Sequence, residues 1–391
     1  MNKLFCDVLI FGAGIIGASL ALQLSKSGIK VIIIERHHLA PIKKQPLTRI
    51  AAINYSSAKF LKTFNIWEKI SSALYTSYNQ LETWEWKSSK VTFQASYAGI
   101  STMGYIVENI RLQSALWENL ISQTIKLFCP STLVSISYNN NAWKSILDNR
   151  QIIISKILVG ADGIHSQIRK QLGIGIMGWK YQQCCMLITI KTFFKKSETI
   201  WQIFSPYGPI GFLPLYNGWG SLMWYNTPEQ IYSLQKLPRR ILEKIIKYNF
   251  HEQLGNYVKI YNITVVPLIS QRAYKYTTPL GGVLVGDSAH SLHPLAGQGI
   301  NLGLRDVISL SKLLITNVRV FEEHSSIEEI LHNYQNTRKY DTFLMQSSID
   351  MLYLIFHNNY FPIKIARNIA FMIVERSKFL KKQILKYALG L

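Results

Sequence analysis

The chain has 391 residues, of which 48% are hydrophobic, 12% aromatic and only 17% charged. That is enough apolar material for a large core in two or three domains, and with no repeat and no long Pro, Ser or Gln tract it excludes a disordered or low-complexity protein. The formal charge of +21 invites nucleic acid as a partner, but the basic residues are spread without a basic block and Lys, Ile, Asn and Tyr are abundant throughout, so nucleic acid is not expected.

From the N-terminus, Asp7 to Phe11 reads as a buried parallel strand, Ile15 to Ser27 as a helix ended by Gly28, and Lys30 to Ile34 as a second buried strand. The apolar run from Val8 to Leu24 is not expected to be a signal peptide, because it divides into a strand half and a helix half around Gly12, Gly14 and Gly17. Those glycines stand in GAGIIG, and Glu35 closes the second strand. Gly12 suits a tight turn, Gly14 a close approach of backbone to a pyrophosphate, and Gly17 close packing of helix on strand. Glu35 is placed to bond an adenosine ribose. Strand, glycines, helix, strand and acid in this order predict a dinucleotide site, without deciding between FAD and NAD.

Further along, Gln80 to Trp86 and Lys90 to Ala95 alternate as antiparallel strands do, Val107 to Leu120 has helical periodicity, and Ile152 to Val159 is again a continuous apolar strand. It runs into Gly160, Ala161, Asp162 and Gly163, with Ser166 and Arg169 following. From Gln182 to Ile269 alternating strands, among them Ile200 to Phe204, Gly211 to Leu215 and Ser221 to Tyr225, predict a mostly antiparallel sheet. Gly282 to Val285 returns to the parallel style and ends on Gly286-Asp287. Then come His290, His293 and the run PLAGQGIN from Pro294 to Asn301, which opens a helix near Gly299. An Asp at a strand end followed by a Gly-rich helix entry offers an acceptor for a sugar-like hydroxyl chain and amides for an anionic ring edge, as a flavin needs. His290 and His293 lack Cys or carboxylate partners at ligand spacing, so no metal is expected. The cysteines Cys6, Cys129, Cys184 and Cys185 have no CxxC pair, which suits a reducing, cytoplasmic compartment. No segment offers about 20 uninterrupted apolar residues for a membrane span.

With these three motifs in order, the chain resembles the flavoprotein aromatic hydroxylases related to p-hydroxybenzoate hydroxylase. HPLAGQGINLGLRD resembles their ubiquinone-biosynthesis branch in particular, and LETWEW, SLMWYNTPEQI and LKKQILKYALGL resemble the demethoxyubiquinol hydroxylases within it. Ser288 departs from the commoner Ala of GDAAH. The resemblance implies an α/β (α+β overall) protein: a Rossmann-type FAD-binding domain from residues 1–74, 100–181 and 273–326, an inserted, mostly antiparallel β-sheet substrate domain from 75–99 and 182–272, and a C-terminal helical segment, 327–391. It also implies FAD as cofactor, NAD(P)H as electron donor and dioxygen as co-substrate, with oxygen passing through a flavin hydroperoxide to the ring of a polyprenyl benzoquinol.

The cofactor-binding residues so implied are Gly12, Gly14, Gly17, Glu35, Arg49, Asn109, Gln113, Asp162, Gly163, Gly286, Asp287, Pro294, Gly297, Gln298, Gly299 and Asn301. Trp224 and Pro294 are candidates for the pocket, and the chemistry, centred on the cofactor, requires no protein nucleophile. Another ring-hydroxylation step of the same pathway, or an inactive flavoprotein serving as a scaffold for other ubiquinone-biosynthesis enzymes, stays open. The C-terminus sets Lys364, Arg367, Arg376, Lys378, Lys381, Lys382 and Lys386 among Ile, Phe, Met and Leu, a pattern that suits peripheral contact with a membrane or packing on the protein itself.

Overall fold

The computed structural model describes residues 3–42, 45–46, 49–123, 125–193, 198–292, 297–321 and 327–391. The chain forms two compact units: Met1–Pro41, Ile110–Trp179 and Ile269–Gln346 make the first, and Ile42–Asn109, Lys180–Leu268 and Ser347–Leu391 the second.

In the first unit a seven-stranded sheet runs in the order Lys126–Phe128, Val31–Ile34, Lys3–Phe11, Ile152–Gly160, Ala142–Leu147 and Leu133–Asn139, with Gly282–Leu284 also pairing Ile152–Gly160. Lys3–Phe11 is parallel to both of its neighbours, and Phe11 lies opposite Ile34 on one side and Gly160 on the other. Val8, Leu9 and Ile10 are fully buried, which is why this segment reads as a continuous apolar run rather than an alternating one. The helix Ile15–Ser25 carries buried residues around its whole circumference, and Gly28, at φ +80°, turns the chain into the next strand. The helix Gln298–Thr316 packs against it so closely that a Cβ on Gly303 would lie 2.7 Å from Ile16 Cδ1.

In the second unit the main sheet takes Ile176–Thr192, Trp219–Asn226, Ile210–Pro214, Thr199–Ile203, Gln80–Trp84 and Val91–Gln94 in that order. Successive neighbours are antiparallel except Thr199–Ile203 with Gln80–Trp84, which are parallel. The two-residue period sends adjacent side chains to opposite faces. Trp201 and Phe212 join Met186, Ile188 and Leu222 beneath the helices Pro228–Lys236 and Arg239–Leu254, through Ile231, Leu242, Ile246 and Phe250. Ile200 and Leu213 join the other core, which includes Ala52, Tyr78, Ile106 and, from the last helix Lys378–Leu389, Leu385 and Leu389. A three-stranded sheet, Ile50–Asn54, Gly104–Glu108 and Tyr75–Tyr78, belongs to the same unit.

Of the stretches read from the sequence as the FAD-binding domain, residues 42–74, 100–109 and 180–181 lie in the second unit; residues 269–272 and 327–346 lie in the first, and residues 347–391 in the second. The helix Phe361–Arg376 is bonded into the second unit by Arg367, whose guanidinium pairs with Glu85 and donates to Ile355 O and Asn358 O at 2.7 Å each. Asn54 Nδ2 likewise donates to Ala388 O (3.0 Å). The periodicity of a helix shows that it has an apolar face but not which neighbour covers it.

Candidate functional site

The three glycines of the first motif do different work. Gly12 has φ +103°, and a Cβ there would lie 2.3 Å from Ala161 O; a Cβ on Gly17 would lie 1.9 Å from Gly12 O. Around Gly14 a Cβ would meet nothing within 4 Å. Two glycines are therefore demanded by the chain's own packing, and the third keeps a space open. Gly14 also caps the helix Ile15–Ser25 with no side-chain bond to the first turn and no acidic residue in it, so the positive end of the helix faces that space uncompensated.

Ala13, between the glycines, is held from three directions. Its amide donates to Glu35 Oε2 (2.8 Å), and its carbonyl accepts from Gln113 Nε2 (3.1 Å) and Trp117 Nε1 (2.6 Å). Glu35 Oε1 accepts from His37 N at 3.0 Å, leaving the carboxylate lone pairs for a ribose hydroxyl. Gln113 thus braces the turn. Trp117, one helical turn beyond it, does the same and was not singled out in the sequence, where an aromatic at that spacing reads as core.

Asp162 is held by its own turn. Its carboxylate accepts from Ser166 Oγ, Gln167 N (2.6 Å) and Ile168 N (3.1 Å), and so caps the helix Gln167–Gln171. In the same turn Gly163 has φ +82° with open space where a Cβ would stand. Arg169, 4% exposed, ties this turn to the next motif by donating to Ile164 O (2.9 Å) and Ser288 O (2.8 Å). Ser288 is fully buried; its hydroxyl accepts from Val285 N (3.2 Å) and lies 2.7 Å from Val285 O and against Gly160 O. The departure from Ala at this position adds bonds rather than an unmet polar group.

Gly286, at φ +60°, donates its amide to Asp306 Oδ2 (2.8 Å), and Asp287 stands exposed beside it. Asp306 is fully buried: Oδ2 also meets His290 Nε2 (2.7 Å) and Oδ1 accepts from Arg338 Nε (2.6 Å), while Arg338 Nη1 reaches Asp341 Oδ2 (2.6 Å). Burial acts to raise the Asp306 carboxyl, but His290 and Arg338 overcome it and hold the group below the usual carboxylate range. His290 is thereby explained as a hydrogen-bond partner of Asp306. Asp306 and Arg338 were missed because they lie 20 and 52 positions beyond Gly286, read off their numbers, with no local motif to join them.

The helix Gln298–Thr316 begins at Gly297, φ +63°, again with no side-chain cap. Gly299 in its first turn has nothing within 4 Å of a Cβ, and Asn301, 1% exposed, donates to Gly297 O at 3.3 Å. Pro294 and His293 lie outside the described residues. In the second unit Arg49 is exposed and its carbonyl accepts from Asn109 N (3.1 Å). Asn109 Oδ1 is buried without a protein partner, the kind of orphaned acceptor a bound ligand satisfies. Trp224 is half-buried, its ring meeting Phe250 edge-on at 5.7 Å against the helix-covered core.

The arrangement fits FAD. One unit holds two uncapped helix N-termini, each with an open glycine, a carboxylate at the end of the second strand, and an exposed Asp on a turn locked from behind. The family described as FAD binding domain matches residues 5–340. A 3-demethoxyubiquinol 3-hydroxylase of Escherichia coli (strain K12) is 40% identical over 388 residues, covering 98% of both chains. The ubiquinone hydroxylase UbiL of Rhodospirillum rubrum is 28% identical, over 98% of this chain and 89% of its own. Among solved structures, the p-nitrophenol 4-monooxygenase PnpA of Pseudomonas putida DLL-E4 superposes with TM-score 0.80 at 15% identity, over 100% of this chain and 99% of its own, a likeness of fold. On the glycine turn, the braced Gly286-Asp287 turn and kinship along nearly the whole length, the chain belongs to the FAD-binding hydroxylase family of ubiquinone biosynthesis.

Proposed function

We propose that the protein hydroxylates the ring of a polyprenyl benzoquinol, 2-polyprenyl-3-methyl-6-methoxy-1,4-benzoquinol, with NAD(P)H as electron donor and dioxygen as co-substrate. The observation that carries the reading is the second uncapped helix start, Gly297 to Asn301, in the same unit as the first: a nicotinamide dehydrogenase needs only one, whereas a flavin has both a pyrophosphate and an anionic ring edge to hold. Bound FAD supplies the redox chemistry, drawing electrons from NAD(P)H and delivering one oxygen atom of dioxygen to the ring. The chain's part is to hold and orient. The space at Gly14 takes the pyrophosphate, Glu35 the adenosine ribose, Asp287 the ribityl hydroxyls, and the Gln298–Thr316 helix start the ring edge, while Gln113 and Trp117 keep the first turn in place. Incubation with a demethoxyubiquinol analogue, NAD(P)H and dioxygen is expected to give a product heavier by one oxygen atom. NAD(P)H consumption with all oxygen recovered as hydrogen peroxide, or no consumption at all, sinks the reading, the latter in favour of a scaffold. Asp287→Ala is expected to lower FAD affinity by roughly 10- to 100-fold, the worth of a charge-assisted hydrogen bond; equal flavin content in the purified variant and the unaltered protein contradicts the assignment.

Peripheral contact with an anionic bilayer through the C-terminal helices belongs to the same proposal. Phe361, Ile365, Ile369 and Ile373 form an exposed stripe at four-residue spacing on the helix Phe361–Arg376; Arg376 ends the same helix exposed, and Lys378 and Lys382 are exposed on the next. Arg367 and Lys381, in contrast, are buried and paired with Glu85 and Glu375, and so take no part in membrane attraction. Glu375, the one acid of residues 351–391, is engaged by Lys381 and by Thr92 N. An exposed apolar stripe followed along the chain by exposed cations matches a headgroup region. Ile365→Glu with Ile369→Glu, both exposed, is expected to reduce flotation with anionic liposomes at low salt by about tenfold, two buried side chains being lost from the lipid, without shifting the melting temperature. Undiminished flotation rejects the membrane contact.

A further inference from the structure

Beside that stripe lies a groove of about 330 Å³ lined by Leu352, Ile355 and Phe356 from the helix Ile327–His357 and by Ile363, Ala366, Ala370 and Phe371 from the helix Phe361–Arg376. Arg367, the remaining lining residue, brings no available polar group: its guanidinium is occupied by Glu85, Ile355 O and Asn358 O. Those bonds also take up carbonyls at the end of the preceding helix. The floor is aromatic and fixed, with Phe356 stacked on Phe204 (3.8 Å, 13°) and Phe371 against both rings at 5.5 and 6.0 Å. Phe204 immediately follows the sheet strand Thr199–Ile203. The groove exists because Ala366 and Ala370, one helical turn apart, put methyl groups where larger side chains would close it.

A peptide helix, about 10–12 Å across, is too bulky for a space of this volume, and an extended peptide would find no partner for its backbone polar groups. A thin, wholly apolar, methyl-branched chain meets neither objection. We propose that this groove seats part of the polyprenyl tail of the substrate. The proposal rests on the polyprenyl benzoquinol reading given above, and it names a role for the C-terminal helices that is distinct from lipid contact: the exposed stripe borders the groove, so a chain drawn from the bilayer enters along an apolar path. Ala366 and Ala370 then set the available width, and with it the affinity for tailed substrates.

The test uses the full-length, FAD-loaded protein, with Ala370→Phe and Ala366→Phe as groove-filling variants at exposed helical positions where folding tolerates the change. Two ringless probes of equal main-chain length, geranylgeraniol and hexadecanol, separate a prenyl seat from a site for lipid acyl chains. Geranylgeraniol is expected to bind the unaltered protein more tightly than hexadecanol, and each variant to weaken it by about tenfold, the loss of roughly two buried methylene contacts. The KM for a tailed quinol is expected to rise by a similar factor, with kcat unchanged and the KM for the tailless ring analogue unmoved. Equal geranylgeraniol affinity in variants and unaltered protein overturns the proposal, as does hexadecanol binding as tightly as geranylgeraniol. If the unaltered protein hydroxylates neither quinol but binds geranylgeraniol in a manner that Ala370→Phe abolishes, the prenyl seat stands and the substrate reading falls.

Discussion

Gly14→Val is expected to yield a folded protein that has lost FAD, and Gly17→Val a protein that does not fold. Both lie in the same six-residue motif, but their surroundings are opposite. A Cβ on Gly14 meets nothing within 4 Å, whereas one on Gly17 would stand 1.9 Å from the carbonyl oxygen of Gly12, a distance that only a shift of helix against strand can relieve. Forcing bulk into a packed interior costs about 1–3 kcal/mol even where side chains can move. Here the obstacle is backbone at the centre of the first unit's sheet, so the loss takes a large part of a total stability of roughly 5–15 kcal/mol. For Gly14 the cost falls on the ligand: branched bulk occupies the pyrophosphate space and screens the first-turn amides, for an expected affinity loss of at least about 100-fold. Circular dichroism and thermal melting of the flavin-free proteins, with flavin titration of those that fold, separate the two effects. Normal FAD affinity in a folded Gly14→Val protein would remove the first motif from the cofactor site.

The contrast also marks what the sequence could and could not convey. A local signal, such as Gly12 to Glu35 within one strand–helix–strand unit, is legible because the chain order is the spatial order, and the strands and helices predicted there are present within a few residues. The hairpin Leu133–Asn139 with Ala142–Leu147 went unread although Asn140 and Asn141, both at positive φ, form its turn; Asn-Asn is a weaker hairpin signal than Asn-Gly. The helices Pro228–Lys236 and Arg239–Leu254 were absorbed into a sheet region, though Thr227, whose side chain caps the first with Pro228 following, was available as a start signal. Trp224 could be read as a pocket candidate on a central strand, but which face of the sheet it occupies comes only from its contact with Phe250. The bonds of Glu85 to Arg367 and of Asp306 to Arg338 span 282 and 32 positions, and no periodicity reports such pairs.

Asp306→Ala is expected to destabilise the first unit by about 3–5 kcal/mol, because it removes one of the two carboxylates paired with the buried Arg338, leaving only Asp341, and takes away the partner of the His290 ring and of the Gly286 amide. Arg338 is 4% exposed and His290 2% exposed, so water cannot replace the lost carboxylate. The pH dependence follows from the direction of the shift. The folded-state carboxyl of Asp306 is held below its ordinary value, so its contribution is fully present above the unfolded pKa, near 3.9, and is lost as pH falls through the lower folded value. The gap in stability between Asp306→Ala and the unaltered protein is therefore expected to be constant from neutral pH down to about 4 and to narrow below it. Melting curves of the flavin-free proteins across that range measure it; a gap that persists unchanged in acid contradicts an ionised Asp306. Replacing both partners, Asp306→Leu with Arg338→Met, is expected to restore part of the stability, since an apolar pair avoids the desolvation that the ion pair must offset. FAD affinity is not expected to return with it. Gly286 donates its amide to Asp306 Oδ2, and a leucine cannot accept that bond, so the turn presenting Asp287 loses the support that fixes its left-handed backbone even when the core behind it is repacked.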